Sequence, residues 1–429
     1  FLNKGADIEK FVGSADFPWS EREFSWKQQN INLSDAWTVN PRTINQLRLT
    51  YVRHFGGRLN LPQKSLGDLG STYKIQGAPS LPRIQVRQGY FQLGQSIAGP
   101  SAGSNYYGIR EVLALTRGRH SLKLGADMSL EKFIHDTTLD NYGTFDFTGA
   151  KTGNALADFY LGFPNTWKQD APVTKIDNGW YWGFFIQDDL RVRPNLMLNV
   201  GLRYELQLPM LDPRDRKLTF VAGKQSQVVP GAPVGLLFPG DPSVGRGVIS
   251  ADKNNFAPRL GLAWDPFGTG RTSIRAAAGL FYGSISGNEW NASADNQPFA
   301  IRQTFYDTSE KTLSNPYKNL PGGVSPFPYD YSPSNPRFLL PASVMGPNLD
   351  FRWPYFYQFN LSVQRQVLSD LSVTAAYVST LGHKLPFQRD VNFPIYGPGA
   401  TARNVNDRRP FLPGTLPNIN LLSSIMNTA

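Results

Sequence analysis

Histidine is the side chain best suited to bind a metal or to move a proton near neutral pH, and the 429-residue sequence holds four of them, His54, His120, His135 and His383. None belongs to an HExxH pair or to any other ligand spacing. His120 and His383 stand close to glycines in turn or loop contexts, where an ordinary solvated role is expected. Cysteine is absent, so neither a disulfide framework nor a thiolate metal site is open to the chain. No GxSxG elbow and no P-loop occur; "VGRGV" (244–248) is glycine-rich but lacks the strand–helix setting that phosphate binding needs. "QDD" (187–189) offers adjacent carboxylates, yet neighbours on a strand point to opposite faces, so Asp188 and Asp189 read as a strand end and not as an acid–base pair. These residues predict no catalysis, no metal site and no cofactor.

The formal net charge of +10 raises nucleic acid as a partner. The basic residues are scattered without a recognisable nucleic-acid module, so a solvated, loop-rich surface is expected instead. What remains is a set of charges whose positions follow a rule. In "IQDDLRVRPNLMLNVGLRYELQLP" (186–209), Leu196, Leu198, Val200, Leu202, Tyr204 and Leu206 share one face, and the alternate positions carry Arg203 and Glu205. Period-two alternation of this kind means a strand with one apolar and one wet face. The same pattern places Arg48, Lys123, Asp127 and Arg275 on the wet faces of other strands, opposite Leu47-Leu49-Tyr51, Leu122-Leu124-Ala126-Met128 and Ile274-Ala276-Ala278-Leu280-Tyr282.

The elements that must position these charges are hairpins. Tight turns rich in Pro, Gly, Asn or Asp fall near 40–42, 117–120, 193–195, 266–270 and 368–370. Between hairpins the connections are long, about 55–106, 208–254, 285–352 and 382–429, far beyond the usual few residues within compact domains. No apolar run reaches the ~18 residues of a transmembrane helix. Short turns alternating with long loops is the signature of an outer-membrane barrel, with periplasmic turns and extracellular loops. Tyr51, Tyr204, Tyr282 and Tyr377 lie on the apolar face, each roughly nine residues past its turn, a climb that matches the apolar band between aromatic girdles. Trp182, Trp353, Tyr355 and Tyr357 sit at a similar height on incoming strands, and Trp37 and Trp264 lie beside turns, where a lower girdle belongs. The apolar face is therefore expected to meet lipid; a soluble sandwich core is the alternative. "NYGTFDF" (141–147) and "NTWKQDAPVTK" (165–175) are further strand candidates, bringing the count to about twelve. "KTGNALADFYLGF" (151–163), between them, reads as a short helix or an inward-folding loop.

"TGNALADFYLG" (152–162), "FFIQDDLRVRPNLMLNVGLRYE" (184–205) and "NNFAPRLGLAWDPFGTGRTSIRAAAGLFYG" (254–283) resemble the barrel of TonB-dependent receptors, in particular the Oar-like branch with its carboxypeptidase-regulatory-like domain. "TRGRHSLKLGAD" (116–127) and "QFNLSVQRQVLSDLSVTAAYVSTLGHKL" (358–385) fit the same pattern. The resemblance implies a 22-strand barrel with an N-terminal plug and a TonB box that couples to an inner-membrane energising complex. Neither plug nor TonB box is found between Phe1 and Ala429, and the chain ends at "LLSSIMNTA" without an aromatic-terminated last strand. The expectation is a single partial barrel domain over 1–429, either a fragment of a longer receptor or a shortened relative.

The sequence thus predicts an all-β, antiparallel transmembrane barrel in the bacterial outer membrane, surrounded by lipid. Its expected function is to bind and import a substrate too large for porins, a sugar, peptide or siderophore, with loops and lumen-facing residues setting specificity. A structural or adhesive outer-membrane barrel is the second reading, and a soluble all-β carbohydrate-binding or hydrolytic protein the third. "NPYKNLPGGVSPFPYDYSPSNPRFLLP" (315–341) is either a ligand-contacting external loop or a proline-stiffened connection.

Overall fold

In the computed structural model, eleven strands follow one another as an antiparallel meander, each paired with its neighbours in sequence order. They are β1 (Leu2–Glu9), β2 (Arg22–Asn40), β3 (Thr43–Asn60), β4 (Ala98–Arg117), β5 (His120–Thr138), β6 (Val173–Arg193), β7 (Leu196–Gln207), β8 (Asn255–Trp264), β9 (Thr272–Tyr282), β10 (Tyr355–Gln366) and β11 (Ser372–His383). The structure describes residues 1–12, 15–94, 98–138, 140–284, 292–305, 312–318, 320–338, 342–390, 392–401, 404–405, 407–410 and 419–427. Parts of the loops predicted over 285–352 and 382–429 lie outside them. No described helix is long and apolar enough to cross a membrane, which says nothing of crossing by strands.

All five predicted tight turns join successive wall strands. At the β4–β5 reversal Arg117 pairs with His120, leaving two residues to turn the chain. Gly118 takes φ 59°, a left-handed conformation that a side chain would oppose. Cross-strand register then sets the two faces. Leu33, Leu49, Ile109, Met128, Trp182 and Leu206 form one continuous apolar row. The incoming strands add an exception that the outgoing ones do not show: Asp35 and Glu111 both stand opposite Leu47 on this apolar face.

The structure corrects the strand count. The segments at 141–147 and 165–175 are not extra wall strands: Thr144–Phe147 and Thr166–Asp170 belong to a separate five-stranded sheet, and Val173 already begins β6. In their place β1 joins the wall, a strand too polar in its alternation to stand out in the sequence. Strand pairing also continues past the predicted ends, so the loop placed at 55–106 is only 61–97: β3 runs on against β2 as far as Asn60–Arg22.

The long connections fold together. Arg302–Phe305, Thr166–Asp170, Thr144–Phe147, Arg83–Val86 and Phe91–Leu93 make one sheet from three different loops. Its core is Tyr73, Phe145, Phe147, Trp167, Phe305 and Tyr317, all buried, with the Trp167 and Phe305 rings stacked at 3.9 Å. Each such aromatic contributes about 1.5–3 kcal/mol on burial. Between 151 and 163 the chain forms a short helix, Ala155–Leu161, capped by the Asn154 side chain. Asp158 pins the approach to it, accepting from the backbone N–H groups of Lys151 and Thr152 at 3.1 and 2.9 Å. A second core, Leu218, Leu236, Phe238, Phe299 and Val344, ties the β7–β8 loop to the β9–β10 loop. The buried Lys217 reaches from that loop to the buried Asp177 of β6, an ion pair that fastens loop to wall.

Within the described part of 315–341, Tyr317 joins the core of the loop sheet, and Phe327 and Tyr329 pack in a further core with Ala171 and Ile301. Tyr317, Phe327 and Tyr329 are buried, and the Tyr317 hydroxyl donates to Gln169 at 2.8 Å. The stiff-connection reading describes these residues better than that of an exposed ligand platform.

Candidate functional site: a charged groove on the polar face of the wall

Antiparallel register aligns the polar-face residues of successive strands. Arg48 faces Arg110, Arg110 faces Asp127, Asp127 faces Gly183 and Gly183 faces Glu205. One step nearer the turns Phe185 stands between Gly125 and Arg203. A further step gives the row Lys123, Gln187, Gly201 and Arg259. The glycines matter because long side chains lie flat over them. A β-carbon at Gly183 would collide with the Arg203 guanidinium, and one at Gly125 with the Phe185 ring.

Arg203 is the hub. Its Nη2 is 2.9 Å from Asp127 Oδ2 and donates to the Tyr181 hydroxyl at 2.6 Å, while Nε donates to Glu205 at 2.7 Å. Arg110 Nε lies 3.4 Å from the other Asp127 oxygen, so two arginines share one carboxylate. Aromatic faces support the cations: Arg203 lies 5.9 Å from the Tyr181 ring centroid and 5.8 Å from that of Phe185, and Arg259 lies 4.4 Å from that of Phe281. Charge-assisted bonds of this kind hold the side chains in fixed places.

These residues line a groove of about 500 Å³, bordered by Arg48, Arg110, Asp127, Tyr181, Arg203 and Arg259. Among the described residues Arg48 and Arg259 form no ion pair, and Arg259 Nε is buried without a hydrogen-bond partner. The groove is therefore net basic, with two cations uncommitted. A second groove of about 430 Å³ lies nearer the turns and includes Asp189, Asn199, Arg259, Arg275, Gln358 and Asn360. Lys123 Nζ approaches Asp189 there at 4.0 Å.

Of the predicted charges, Arg48, Asp127, Arg203 and Glu205 come together around the first groove, whereas Lys123 and Arg275 lie by the second. Arg110, Arg259 and Tyr181 were missed because the alternation was read only along strands leaving a turn; "IREVLALT" and "FAPRLGLAW" carry the same signal on entering ones. The adjacent Asp188 and Asp189 do point to opposite faces: Asp188 meets His120 Nδ1 at 2.6 Å on the apolar side, and Asp189 belongs to the second groove.

Most predicted girdle residues lie on the apolar face and meet aromatic neighbours there. Tyr51 packs on Tyr107 at 5.3 Å, Tyr204 on Phe256 at 4.9 Å, Tyr282 on Tyr355 at 6.1 Å and Trp182 on Trp180 at 6.2 Å. Tyr377 and Trp264 are exposed there. Trp353 is the exception. It precedes Pro354, just before β10 begins, and the chain turns inward: the residue is buried against Ile249 and Phe351, and its indole N–H donates to the Gln207 carbonyl at 3.1 Å.

An eleven-strand meander with short turns on one side, long loops on the other, an apolar aromatic-edged face and a charged opposite face defines a wall of an outer-membrane barrel. The family model described as "Outer membrane beta barrel domain" matches residues 5–429. The chain belongs to that family, and its place is the bacterial outer membrane. No curated protein matches it in sequence. Among solved structures it is similar to the outer membrane transporter YddB from Escherichia coli (10% identity, 99% of this chain and 49% of that one, TM-score 0.43). It is also similar to the copper transporter OprC (10% identity, 99% and 56%, TM-score 0.41) and to the siderophore receptor PirA from Pseudomonas aeruginosa (8% identity, 95% and 54%, TM-score 0.33). The chain spans about half the length of these structures.

Proposed function

We propose that this chain is the lumen wall and loop assembly of a TonB-dependent type of receptor, which binds an anionic substrate too large for porins and imports it without altering it chemically. The observation that carries the reading is the net-basic groove, in which Arg203 and Arg110 share Asp127 while Arg48 and Arg259 are left uncommitted. Fixed arginine forks on aromatic supports suit carboxylate, catecholate or phosphate groups better than neutral sugars. Co-folded loops above such a wall supply a large, pre-organised surface for first contact. Energised transport further implies a plug and an inner-membrane TonB partner, as the resemblance of the sequence to the Oar-like branch suggests.

The test is uptake by cells that carry the intact protein, against cells that lack it. Labelled ferric chelates, acidic peptides and neutral oligosaccharides are supplied with and without a protonophore. Energised accumulation of an anionic probe, lost in Arg48→Gln/Arg259→Gln, is the expected result. Protonophore-insensitive behaviour with every probe, together with loss of surface attachment in the cells lacking the protein, would replace import with the adhesive reading.

A further inference from the structure

On the loop side several arginines meet acids: Arg87 meets Asp146, Arg246 meets Asp215 and Arg409 meets Asp390, at 2.5, 2.7 and 3.0 Å. Others there rest on aromatic rings, Arg58 at 5.7 Å from the Phe24 centroid and Arg337 at 5.0 Å from that of Tyr329. The arginines of the short turns form a group by position. Arg42, Arg117, Arg119, Arg193 and Arg365 are all exposed, and among the described residues none of the five forms an ion pair. Arg119 donates to the Val192 carbonyl at 3.2 Å, and Arg365 rests 5.7 Å from the Phe267 ring centroid. The other three guanidinium groups have no protein partner among the described residues.

Register shows where they emerge. Leu196, Trp264, Ile274 and Val363 form an apolar row close to the turns. Arg193 pairs with Leu196 of that row, and Arg365 pairs with Thr272, one step beyond it. Arg117 pairs with His120 on the same face, while Arg42 and Arg119 stand on the turns themselves. Nearby carboxylates are largely occupied. Asp265 accepts from the backbone N–H groups of Phe267 and Gly270 at 3.3 and 2.6 Å, and Asp188 is held by His120. Among the described residues Asp370, at the β10–β11 turn, is the remaining rim acid. The result is a line of exposed cationic forks without carboxylate partners just beneath the lipid-facing band and its Trp37–Trp264 girdle, crossing four of the five hairpins.

We infer that this rim is a docking surface for the anionic headgroups of phospholipids in the periplasmic leaflet. A guanidinium fork fits a phosphate in two-point geometry, and basic residues at a membrane interface are drawn to anionic lipid. The surface continues the lipid face already described, so a headgroup reaches it without leaving its leaflet. Lipid A phosphates lie in the opposite leaflet, on the loop side, and do not meet these residues.

The intact protein, extracted from outer membranes in mild detergent, is assayed by lipid mass spectrometry for co-purifying phosphatidylglycerol and cardiolipin. Arg117→Gln/Arg193→Gln/Arg365→Gln is compared with Arg58→Gln/Arg246→Gln/Arg337→Gln, which removes equal charge from the loop side. The rim variant is expected to lose at least threefold of the retained anionic lipid and the loop-side variant none. In phosphatidylcholine vesicles, added phosphatidylglycerol should raise the urea midpoint of the wild type but not of the rim variant. Equal retention in the rim variant, or an equal fall in both, overturns the proposal. Should the strand-end triple not fold, Arg42→Gln/Arg119→Gln on the turns carries the same expectation and the same refutation.

Discussion

Ile186 and Gln187 are neighbours on β6 that point to opposite faces, and one substitution made at each measures what those faces touch. Ile186 pairs with Leu124 and Leu202 on the apolar side, whereas Gln187 pairs with Lys123 and Gly201 on the polar side. Ile186 is 46% exposed in the protein alone. In water, arginine at such a position would change stability by only about 0.5 kcal/mol. In a bilayer the same side chain sits in hydrocarbon, where arginine costs about 2–4 kcal/mol, a fall of roughly 30- to 700-fold in the folding equilibrium. Gln187→Arg places its charge within reach of Asp189, which the Gln187 amide already approaches at 3.4 Å, and opposite Lys123; attraction and repulsion are of similar size, so a change within about 0.5 kcal/mol is expected there. Urea unfolding of the intact protein in phosphatidylcholine vesicles, followed by tryptophan fluorescence and by heat-modifiable gel migration, reads both variants. Equal costs at the two positions, or a larger one at 187, would refute the face assignment. A cost of only about 0.5 kcal/mol at 186 would place the apolar face in contact with something other than lipid.

Three further outcomes follow from the same structure. Asp35→Leu and Glu111→Leu remove carboxylates from the lipid face and should each raise the urea midpoint in vesicles, by about 1 kcal/mol of stability. Lys217→Met leaves Asp177 buried beside an apolar side chain and should cost about 3–5 kcal/mol, while the double variant Lys217→Met/Asp177→Leu recovers most of it; hydrogen exchange in the 208–254 loop reports both. Burial pushes the Tyr73 and Tyr317 phenols above their ordinary value of 10.0. Folding therefore keeps them neutral where the unfolded chain would ionise, so their contribution is complete below pH 10 and is lost as pH rises past it. Tyrosinate absorbance should rise together with loosening of the loop sheet, and tyrosines titrating normally within intact loops would contradict this.

The wall was readable because its two faces obey a rule of period two that a single sequence displays openly. Leu196 to Leu206 against Arg203 and Glu205 needed no tertiary information, and the turns at 117–120 and 193–195 declared themselves by composition. Partner choice across strands was not readable. That Arg110 shares Asp127 with Arg203 depends on register across β4, β5, β6 and β7, which hairpin turns fix only after every strand is counted. The loop cores were hidden for a similar reason. Phe145 and Trp167 alternate like wall residues, and only contact with Tyr73 and Phe305 from other loops draws them out of the wall. Trp353 misled because its height above the turn was right while the following proline set the end of the strand elsewhere.

The shared loop sheet also bears on the order in which the molecule can be made. Each wall hairpin joins residues close in sequence and closes a small loop, so it can form early. The loop sheet needs Asp170 beside Arg302 and Arg83 beside Thr144, partners whose chain ends meet only after the intervening wall strands are laid side by side. Long closures are slow, because their entropy is lost before any contact rewards it. Assembly therefore runs from turns to loops, and the loop surface is the last part to acquire its shape. A protease outside the cell would find the loops cleavable during that interval and resistant after it, which makes the ripening of the outer surface a rate that can be timed.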